Sequence, residues 1–335
     1  MALNQTLDCG FNEETIDVAI TSLYFLLFIL ALIMNGVAVW VSWHLHSTST
    51  FIVYLKNLVA ADLLMTLTIP LKAINDTPSA PVALKAFCCR YSDVIFYLCM
   101  YMSIILMALI SLDRFFKIVK PRRRLVGQKL VFGKVMSVFF WAMLLASELI
   151  PTIVLTNQDP ANNTNWSCMN MKSQAGRDLH QGVIIFNTTM FWLVCVLICF
   201  CYICIARKVI QSYRKSGSSN DKGMYKIKTR VFLVLAVFLV CFVPYHAVRI
   251  PYTQRQVTST VSCSKSNLMI TKKITLWISS VNVCLDPLIY FLLCKSFRTT
   301  LFKTLHLPSG TSRLTWKAPE INIDRSGTAS EDFSS

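Results

Sequence analysis

Long apolar runs constrain this sequence more than any other feature. Seven of them are long enough to cross a bilayer as a helix, which takes about 20 residues. Hydrophobic residues make up 54% of the chain and charged residues only 15%, whereas soluble domains carry about 25% charged residues. We therefore predict an all-α membrane protein, a bundle of seven transmembrane helices. The runs cover about residues 19–43, 51–74, 87–116, 131–155, 183–210, 231–250 and 268–294.

The positive charge is concentrated in two linkers between these runs. Residues 117–134 hold seven Lys or Arg and residues 207–230 hold eight, whereas residues 1–18 hold acidic residues and no base. A net charge of +16 would suggest a nucleic-acid partner in a soluble protein. Beside membrane spans, the positive-inside rule places such linkers in the cytoplasm. We therefore expect the N-terminus outside, the C-terminus inside, the lipid bilayer as partner and no nucleic acid.

The remaining segments divide the chain into four parts. Residues 1–18 are predicted to form an extracellular tail, and residues 19–294 the seven-span domain. Residues 295–305 place apolar side chains on one side and bases on the other, which predicts an amphipathic helix on the inner leaflet. Residues 306–335 are polar and rich in Ser and Thr, so we expect a disordered cytoplasmic tail. The composition of that tail fits either phosphorylation followed by arrestin binding or a polar disordered segment that is not phosphorylated.

Two kinds of extracellular modification are expected. Glycosylation sequons on the outer side begin at Asn4, Asn162 and Asn165. Five of the 13 cysteines lie outside the spans or at the outer start of span three, where an oxidising environment lets disulfides persist. We pair Cys89 with Cys168 and Cys9 with Cys263. Counting alone does not decide whether Cys88 or Cys89 takes the first bridge.

Polar side chains near the outer end of span six indicate a ligand site. Pro244 should kink the helix. Beyond the kink, His246, Arg249 and Tyr252 follow at i, i+3 and i+6, with Gln256 at i+10, roughly on one face. An arginine in a membrane helix usually faces a bundle interior or a watery cavity, which suggests an anionic ligand. The alternative is that the Arg249 side chain extends to the lipid headgroups.

Motifs along the chain resemble those of rhodopsin-like (class A) G-protein-coupled receptors. Each is weak alone, but all lie in the expected spans. They are Asn35, Asp62, the triplet Asp113-Arg114-Phe115, Trp141, the kink at Phe242-Val-Pro244, and the run from Asp286 through Pro287 to Tyr290.

Three segments, residues 51–57, 246–252 and 283–291, are similar to purinergic receptors of the branch that responds to ADP or UDP-sugars. The resemblance implies a plasma-membrane receptor for an extracellular nucleotide, coupled to inhibitory G proteins that lower cyclic AMP. It also implies a set of ligand contacts. These are Arg249, Lys272, Tyr252, His246, Gln256, Tyr97, Lys172, Lys72, Lys85, His180 and Tyr24.

The resemblance further assigns roles to the inner half of the bundle. Activation and G-protein contact are expected at Asp113, Arg114, Pro244, Asp286, Pro287 and Tyr290, with Arg114 released from Asp113 on activation. A sodium ion in the inactive state is expected at Asp62, Ser103, Asn282 and Asp286. The alternative at Asp62 is a protonated, hydrogen-bonded carboxyl. No other cofactor and no metal site is expected.

Three positions depart from that branch. Lys273 stands where the branch usually has glutamate, Ile184 where it has asparagine, and Val82 where it has tryptophan. We expect Lys273 to make the outer rim more cationic and Ile184 to remove a polar contact. The departures leave the exact ligand open.

Other classes of function fit less well. A transporter would often show an internal repeat, and none is evident. The sequence has no phosphate-binding Gly-rich loop, zinc-protease motif or nucleophile elbow, so we predict no enzymatic activity. A lysophospholipid receptor, or an orphan receptor with an anionic ligand, remains the alternative within the receptor class.

Overall fold

A computed structural model describes most of the seven-span domain. The described residues are 13–47, 49–75, 77, 80–120, 129–159, 168–215, 221–256 and 263–304. Several predictions lie outside them: the glycosylation sites Asn4, Asn162 and Asn165, the Cys9–Cys263 bridge, the Gln256 side chain and the tail 306–335.

The described part of the chain is helical and contains no strand. Two single π-helical turns, Cys88–Ser92 and Leu145–Leu149, and a 3-10 turn, Cys168–Met171, lie between α-helices. The helices are α1 Glu13–His44, α2 Thr50–Asn75, α3 Val82–Phe87, α4 Asp93–Val119, α5 Leu130–Leu144, α6 Ile150–Leu155, α7 Gln174–Lys215, α8 Asp221–Gln256, α9 Cys263–Ser280, α10 Asn282–Leu293 and α11 Lys295–Thr304.

Seven stretches of these helices are long and apolar enough to cross a membrane, which confirms the predicted fold class. Spans one and two are α1 and α2. Span three is α3 with α4, and span four is α5 with α6. Spans five and six are α7 and α8, and span seven is α9 with α10.

Some helices are longer than the apolar runs that predicted them. Helix α1 begins at Glu13, before the predicted start at residue 19. Helix α7 has 42 residues, or about 63 Å at 1.5 Å per residue, roughly twice the hydrocarbon thickness. Backbone hydrogen bonding does not stop at the edge of the membrane, so hydrophobicity marks the buried length and not the helix ends.

Span three is the packing centre of the bundle. Helix α4 contacts α2, α5 and α7, and α8 packs between α7 and α9. Apolar side chains on the opposite faces point outward, such as Val138 and Leu193 at 68% and 69% exposure. In a soluble protein such a surface would be unfavourable, whereas in a bilayer it faces lipid.

Spans two and four approach each other closely. A Cβ added at Gly133 would lie 2.6 Å from Thr50 Cγ2, so only glycine fits there without rearrangement. Further along the same contact, Trp141 Nε1 donates to Asn57 Oδ1 at 3.1 Å. These contacts fix the position of span four, which carries part of the site described below.

A short helix follows span seven, as predicted. Phe297 of α11 is buried and packs against Tyr290 with ring centroids 6.2 Å apart. Arg298 Nη1 donates to the carbonyls of Phe291 and Leu292 at 3.1 and 2.9 Å, which satisfies the open end of α10.

Candidate functional site

A disulfide covers the end of the bundle at which span three begins. Cys89 bonds to Cys168 with their Cα atoms 5.7 Å apart, so the predicted bridge is confirmed and the choice between the adjacent cysteines is settled. Cys88 takes no part in the bridge; its buried Sγ lies 3.6 Å from the Leu71 carbonyl oxygen. The bridge anchors the segment that carries Lys172 to span three.

Below this bridge lies a cavity of about 260 Å³ between spans two to seven. Its wall combines cations, aromatic rings and a few acceptors. The lining residues are Lys72, Cys89, Asp93, Val94, Tyr97, Tyr101, Glu148, Thr152, Cys168, Met169, Lys172, His180, Val183, Ile184, Asn187, Tyr245, Arg249, Tyr252 and Lys272.

Four cations of this lining form what we call the basic wall: Lys72, Lys172, Arg249 and Lys272. The Arg249 side chain is 6% exposed, and no carboxylate among the described residues forms an ion pair with it. Lys72 differs because Asp93 lies 3.4 Å from its Nζ. The wall therefore carries a net positive charge toward the cavity.

Aromatic rings hold the cations in place. The Arg249 guanidinium lies 5.9 Å from the ring centroids of both Tyr97 and Tyr252, and Lys272 Nζ lies 4.5 Å from that of Tyr252. Each ring face attracts a cation without neutralising it. The cations are thus positioned at the cavity and keep the charge that attracts an anion.

This arrangement changes the pKa of Lys172, which lies in the loop before α7. Burial, followed by repulsion from Arg249, lowers the pKa of Lys172 to about 8, although Asp93 acts in the opposite direction. Lys172 Nζ lies 3.4 Å from His180 Nδ1. An anion entering the cavity would relieve the repulsion and favour the charged form of this lysine.

A second polar cluster lies deeper in the bundle. Ser103 Oγ donates to Asp62 Oδ1 at 3.3 Å, and Tyr290 Oη donates to Asp62 Oδ2 at 2.6 Å. Asn282 Nδ2 donates to Asp286 Oδ2 at 2.8 Å. Both carboxyls are fully buried, and they interact with each other. The structure thus brings the four predicted sodium ligands together and adds Tyr290 to them.

Comparison with known proteins agrees with this architecture. The family model "7 transmembrane receptor (rhodopsin family)" matches residues 18–290. The chain is 41% identical to human purinoceptor 13 over 309 residues, which cover 90% of this chain and 87% of that protein. It is 40% identical to bovine purinoceptor 14 over 300 residues, covering 89% of each. It is also 38% identical to mouse G-protein coupled receptor 87 over 301 residues, covering 90% and 82%.

The chain belongs to the rhodopsin family of G-protein-coupled receptors, within its purinergic group. It is therefore a multi-pass plasma-membrane receptor and not an enzyme.

Of the eleven predicted ligand contacts, seven line the receptor's cavity, three do not, and one has its side chain outside the described residues. His246 is fully buried, its ring stacked on Phe191 at a centroid distance of 3.6 Å. Tyr24 is also buried and does not line the cavity, and Lys85 on α3 is half-buried outside it. The prediction for Gln256 is not tested, because its side chain lies outside the described residues. Those that line the cavity are Lys72, Tyr97, Lys172, His180, Arg249, Tyr252 and Lys272.

One predicted interaction at the end of the bundle opposite the cavity is not formed in this structure. Asp113 pairs with Lys117 at 2.7 Å, not with Arg114. The Arg114 guanidinium lies 4.0 Å from the Phe51 ring centroid. Residues four apart meet on one helix face, whereas adjacent residues point in different directions, so the nearer cation on this face is Lys117.

The expectation for Lys273 is corrected. Lys273 Nζ forms an ion pair with Asp17 Oδ1 at 2.6 Å and does not line the cavity. Its charge is thus largely offset by Asp17 and does not add to the basic wall. Ile184, in contrast, does line the cavity, at 8% exposure, and Val82 does not.

Glu148 and Asn187 are among the polar residues of the cavity that sequence reasoning missed. Glu148 is the lone acidic residue in the run 131–155, so the rule that predicted Arg249 also applied to it. Asn187 begins a sequon-like triplet, but in the structure it lies inside span five and is 2% exposed.

Proposed function

We propose that this receptor binds an extracellular nucleotide with a diphosphate group, either ADP or a UDP-sugar such as UDP-glucose. The observation that carries the proposal is the basic wall, where Lys172, Arg249 and Lys272 converge on one cavity beside Tyr97 and Tyr252. A diphosphate carries two to three negative charges. Arginine offers paired donors to phosphate oxygens and lysine a mobile point charge. The names of the purinoceptors to which the chain is similar agree with this ligand class.

Binding would favour a contracted outer end of the bundle. Arg249 and Tyr252 belong to span six and Lys272 to span seven, so a phosphate contacting all three would draw the two helices together. The ligand would then bind the contracted state more tightly than the uncontracted one. Any ligand-driven switch requires such a difference in affinity between two states. Pro244, inside α8, removes a backbone hydrogen bond and lets the inner end of span six swing outward.

With the N-terminus outside, the basic linkers 117–134 and 207–230 face the cytoplasm. The proposed partner there is an inhibitory G protein, whose activation lowers cyclic AMP. Arrestin is the proposed partner of the tail 306–335 once it is phosphorylated.

We also propose that the cluster around Asp62 holds a sodium ion in the inactive state. Hard cations prefer oxygen ligands, and the cluster supplies two buried carboxyls and the Ser103 hydroxyl. Asn282 Oδ1 is a further buried acceptor without a hydrogen-bond partner. A proton shared by Asp62 and Asp286 is the competing interpretation.

The experiment is inhibition of stimulated cyclic AMP in cells that express the receptor, dosed in parallel with ADP and UDP-glucose. Arg249→Ala should lower the potency of the active ligand by at least about 30-fold, because it removes one partner of a buried charge pair. Lys273→Ala is the matched control, and it should change potency by about threefold at most, since Lys273 pairs with Asp17.

Two results would contradict the proposal. One is an equal loss in both variants, which would mean that Arg249 acts through general stability. The other is silence in the cyclic AMP assay, meaning no response to either nucleotide from wild-type receptor whose presence at the cell surface has been verified. That silence would favour the lysophospholipid interpretation, which the same assay tests with a lysophospholipid.

A further inference from the structure

Two residues that line the cavity from the side of spans four and five each carry a buried, unsatisfied acceptor atom. Glu148 lies in the π-helical turn Leu145–Leu149 and is 5% exposed. Its Oε1 has no hydrogen-bond partner among the described residues. Asn187 of α7 is 2% exposed, its amide hydrogen-bonds to the Glu148 carboxyl, and its Oδ1 also lacks a partner. We call Glu148 and Asn187 the acceptor pair.

The acceptor pair is separate from the basic wall. No ion pair joins Glu148 to a Lys or Arg among the residues that the structure describes. Arg249 interacts with four tyrosines, Lys172 and two histidines, and Lys172 also interacts with Asp93 and His180. Glu148 is not among these partners. The cavity therefore has a cationic side and a side that presents acceptors.

Buried acceptors without donors are unfavourable. A carboxyl inside a membrane span costs free energy unless it is paired, hydrogen-bonded or protonated. Bulk water does not supply hydrogen bonds to the acceptor oxygens of Glu148 and Asn187, because both residues are more than nine-tenths buried. Since both line the cavity, a ligand is the natural source of the missing donors.

The acceptor pair also accounts for a departure in the sequence. Ile184 lines the cavity where the purinergic branch usually has asparagine, so a polar contact is lost there. Asn187 follows three residues later on the same helix, and residues at i and i+3 share a face. Asn187 thus places a polar side chain on the same side of span five as Ile184, where it hydrogen-bonds Glu148.

We propose that Glu148 and Asn187 form a subsite that accepts hydrogen bonds from O–H or N–H donors at the uncharged end of the ligand. The inference rests on the proposed nucleotide function, because the phosphates would occupy the basic wall and leave the nucleoside or sugar to reach this side. Three groups of such ligands carry suitable donors: the ribose hydroxyls, the exocyclic amine of adenine and the hydroxyls of a linked sugar.

The test measures the affinity of the active nucleotide and of analogues that each lack one donor. For ADP these are the 2′-deoxy, 3′-deoxy and N6-dimethyl forms, and for UDP-glucose the comparison is UDP. Each is measured on wild type, Glu148→Gln, Asn187→Leu and Ser147→Ala. Ser147 is the matched control because it lies in the same π-helical turn, is exposed, and donates to the Met143 carbonyl.

Glu148→Gln and Asn187→Leu should each weaken binding of the parent nucleotide by about 10- to 100-fold. Leucine offers no acceptor. Glutamine keeps one acceptor oxygen, which the Asn187 amide occupies, and turns an N–H group toward the ligand donor. The analogue that lacks this donor should bind the wild-type receptor weakly. Its affinity for the two variants should be lower than for wild type by less than about threefold. Ser147→Ala should leave every affinity unchanged. The analogue whose affinity no longer depends on these two substitutions identifies the donor as a ribose hydroxyl, the adenine amine or a sugar hydroxyl.

Equal losses for the parent and all analogues, or unchanged affinity in Glu148→Gln, would overturn this inference while leaving the nucleotide function intact. Failure of wild-type receptor to bind any nucleotide would overturn both. Surface counting of each variant separates a loss of affinity from a loss of folding.

Discussion

The affinity for a diphosphate ligand should fall as the pH rises through 8, and Lys172 gives the reason. Burial and the nearby Arg249 lower the pKa of Lys172 to about 8, below the ~10.4 of an ordinary lysine. A lowered pKa means that this lysine loses its charge as the pH rises, earlier than an exposed lysine would. Bound phosphate favours the charged form, so binding above pH 8 requires uptake of a proton.

The magnitude follows from the fraction of charged Lys172. With a pKa of about 8, this fraction is about 0.9 at pH 7 and about 0.1 at pH 9. If the complex holds Lys172 charged throughout, the affinity falls by up to about tenfold over this interval. The ligand contributes little to the change, since the second pKa of a terminal phosphate lies near 6.

The assay is equilibrium binding of labelled nucleotide to membranes across this pH range, with Lys172→Arg as the matched control. Arginine stays charged, so the variant should vary by less than about twofold. Equal pH dependence in wild type and Lys172→Arg would refute the reasoning, because a group other than Lys172 would then be titrating. A flat wild-type profile would also refute it.

Two further predictions test the inner and central parts of the bundle. Sodium should weaken agonist binding by about fivefold or more at constant ionic strength, and Asp62→Asn should abolish that dependence. An Asp62→Asn receptor that keeps the sodium effect would exclude the proposed ion site. Gly133→Ala should destabilise the receptor by about 1–3 kcal/mol, because its Cβ would lie 2.6 Å from Thr50 Cγ2. Thermal unfolding of purified receptor measures this, and Thr50→Ser, which removes that methyl group, should restore stability. Absence of rescue would place the strain elsewhere.

Hydrophobicity was sufficient to predict the seven-span bundle because each run is long enough to cross a bilayer. It could not predict where the helices end, as α1 and α7 continue beyond their apolar parts. The rule that charges inside a membrane span face the interior correctly placed Arg249 at the cavity. Applied to every span, the same rule would also have predicted that Glu148 lies at the cavity.

Partners that are far apart in sequence were not predictable. Lys273 pairs with Asp17, a residue assigned to the extracellular tail, although it lies within helix α1. The charge of Lys273 could be read from the sequence, but the proximity of its partner could not. The choice of Cys89 over Cys88 likewise depends on the helical phase at the π-helical turn, which counting cysteines does not give.

His246 shows why helical spacing overestimates a ligand site. His246, Arg249 and Tyr252 share a face of α8, as their spacing predicted, but three residues separate their depths by about 4.5 Å. The floor of the cavity lies between His246 and Arg249, because Phe191 and Tyr245 cover the imidazole at centroid distances of 3.6 and 5.1 Å. Periodicity specifies the direction in which a side chain points. The depth at which a cavity ends is set by side chains of other spans, so a contact list drawn from one helix extends too deep.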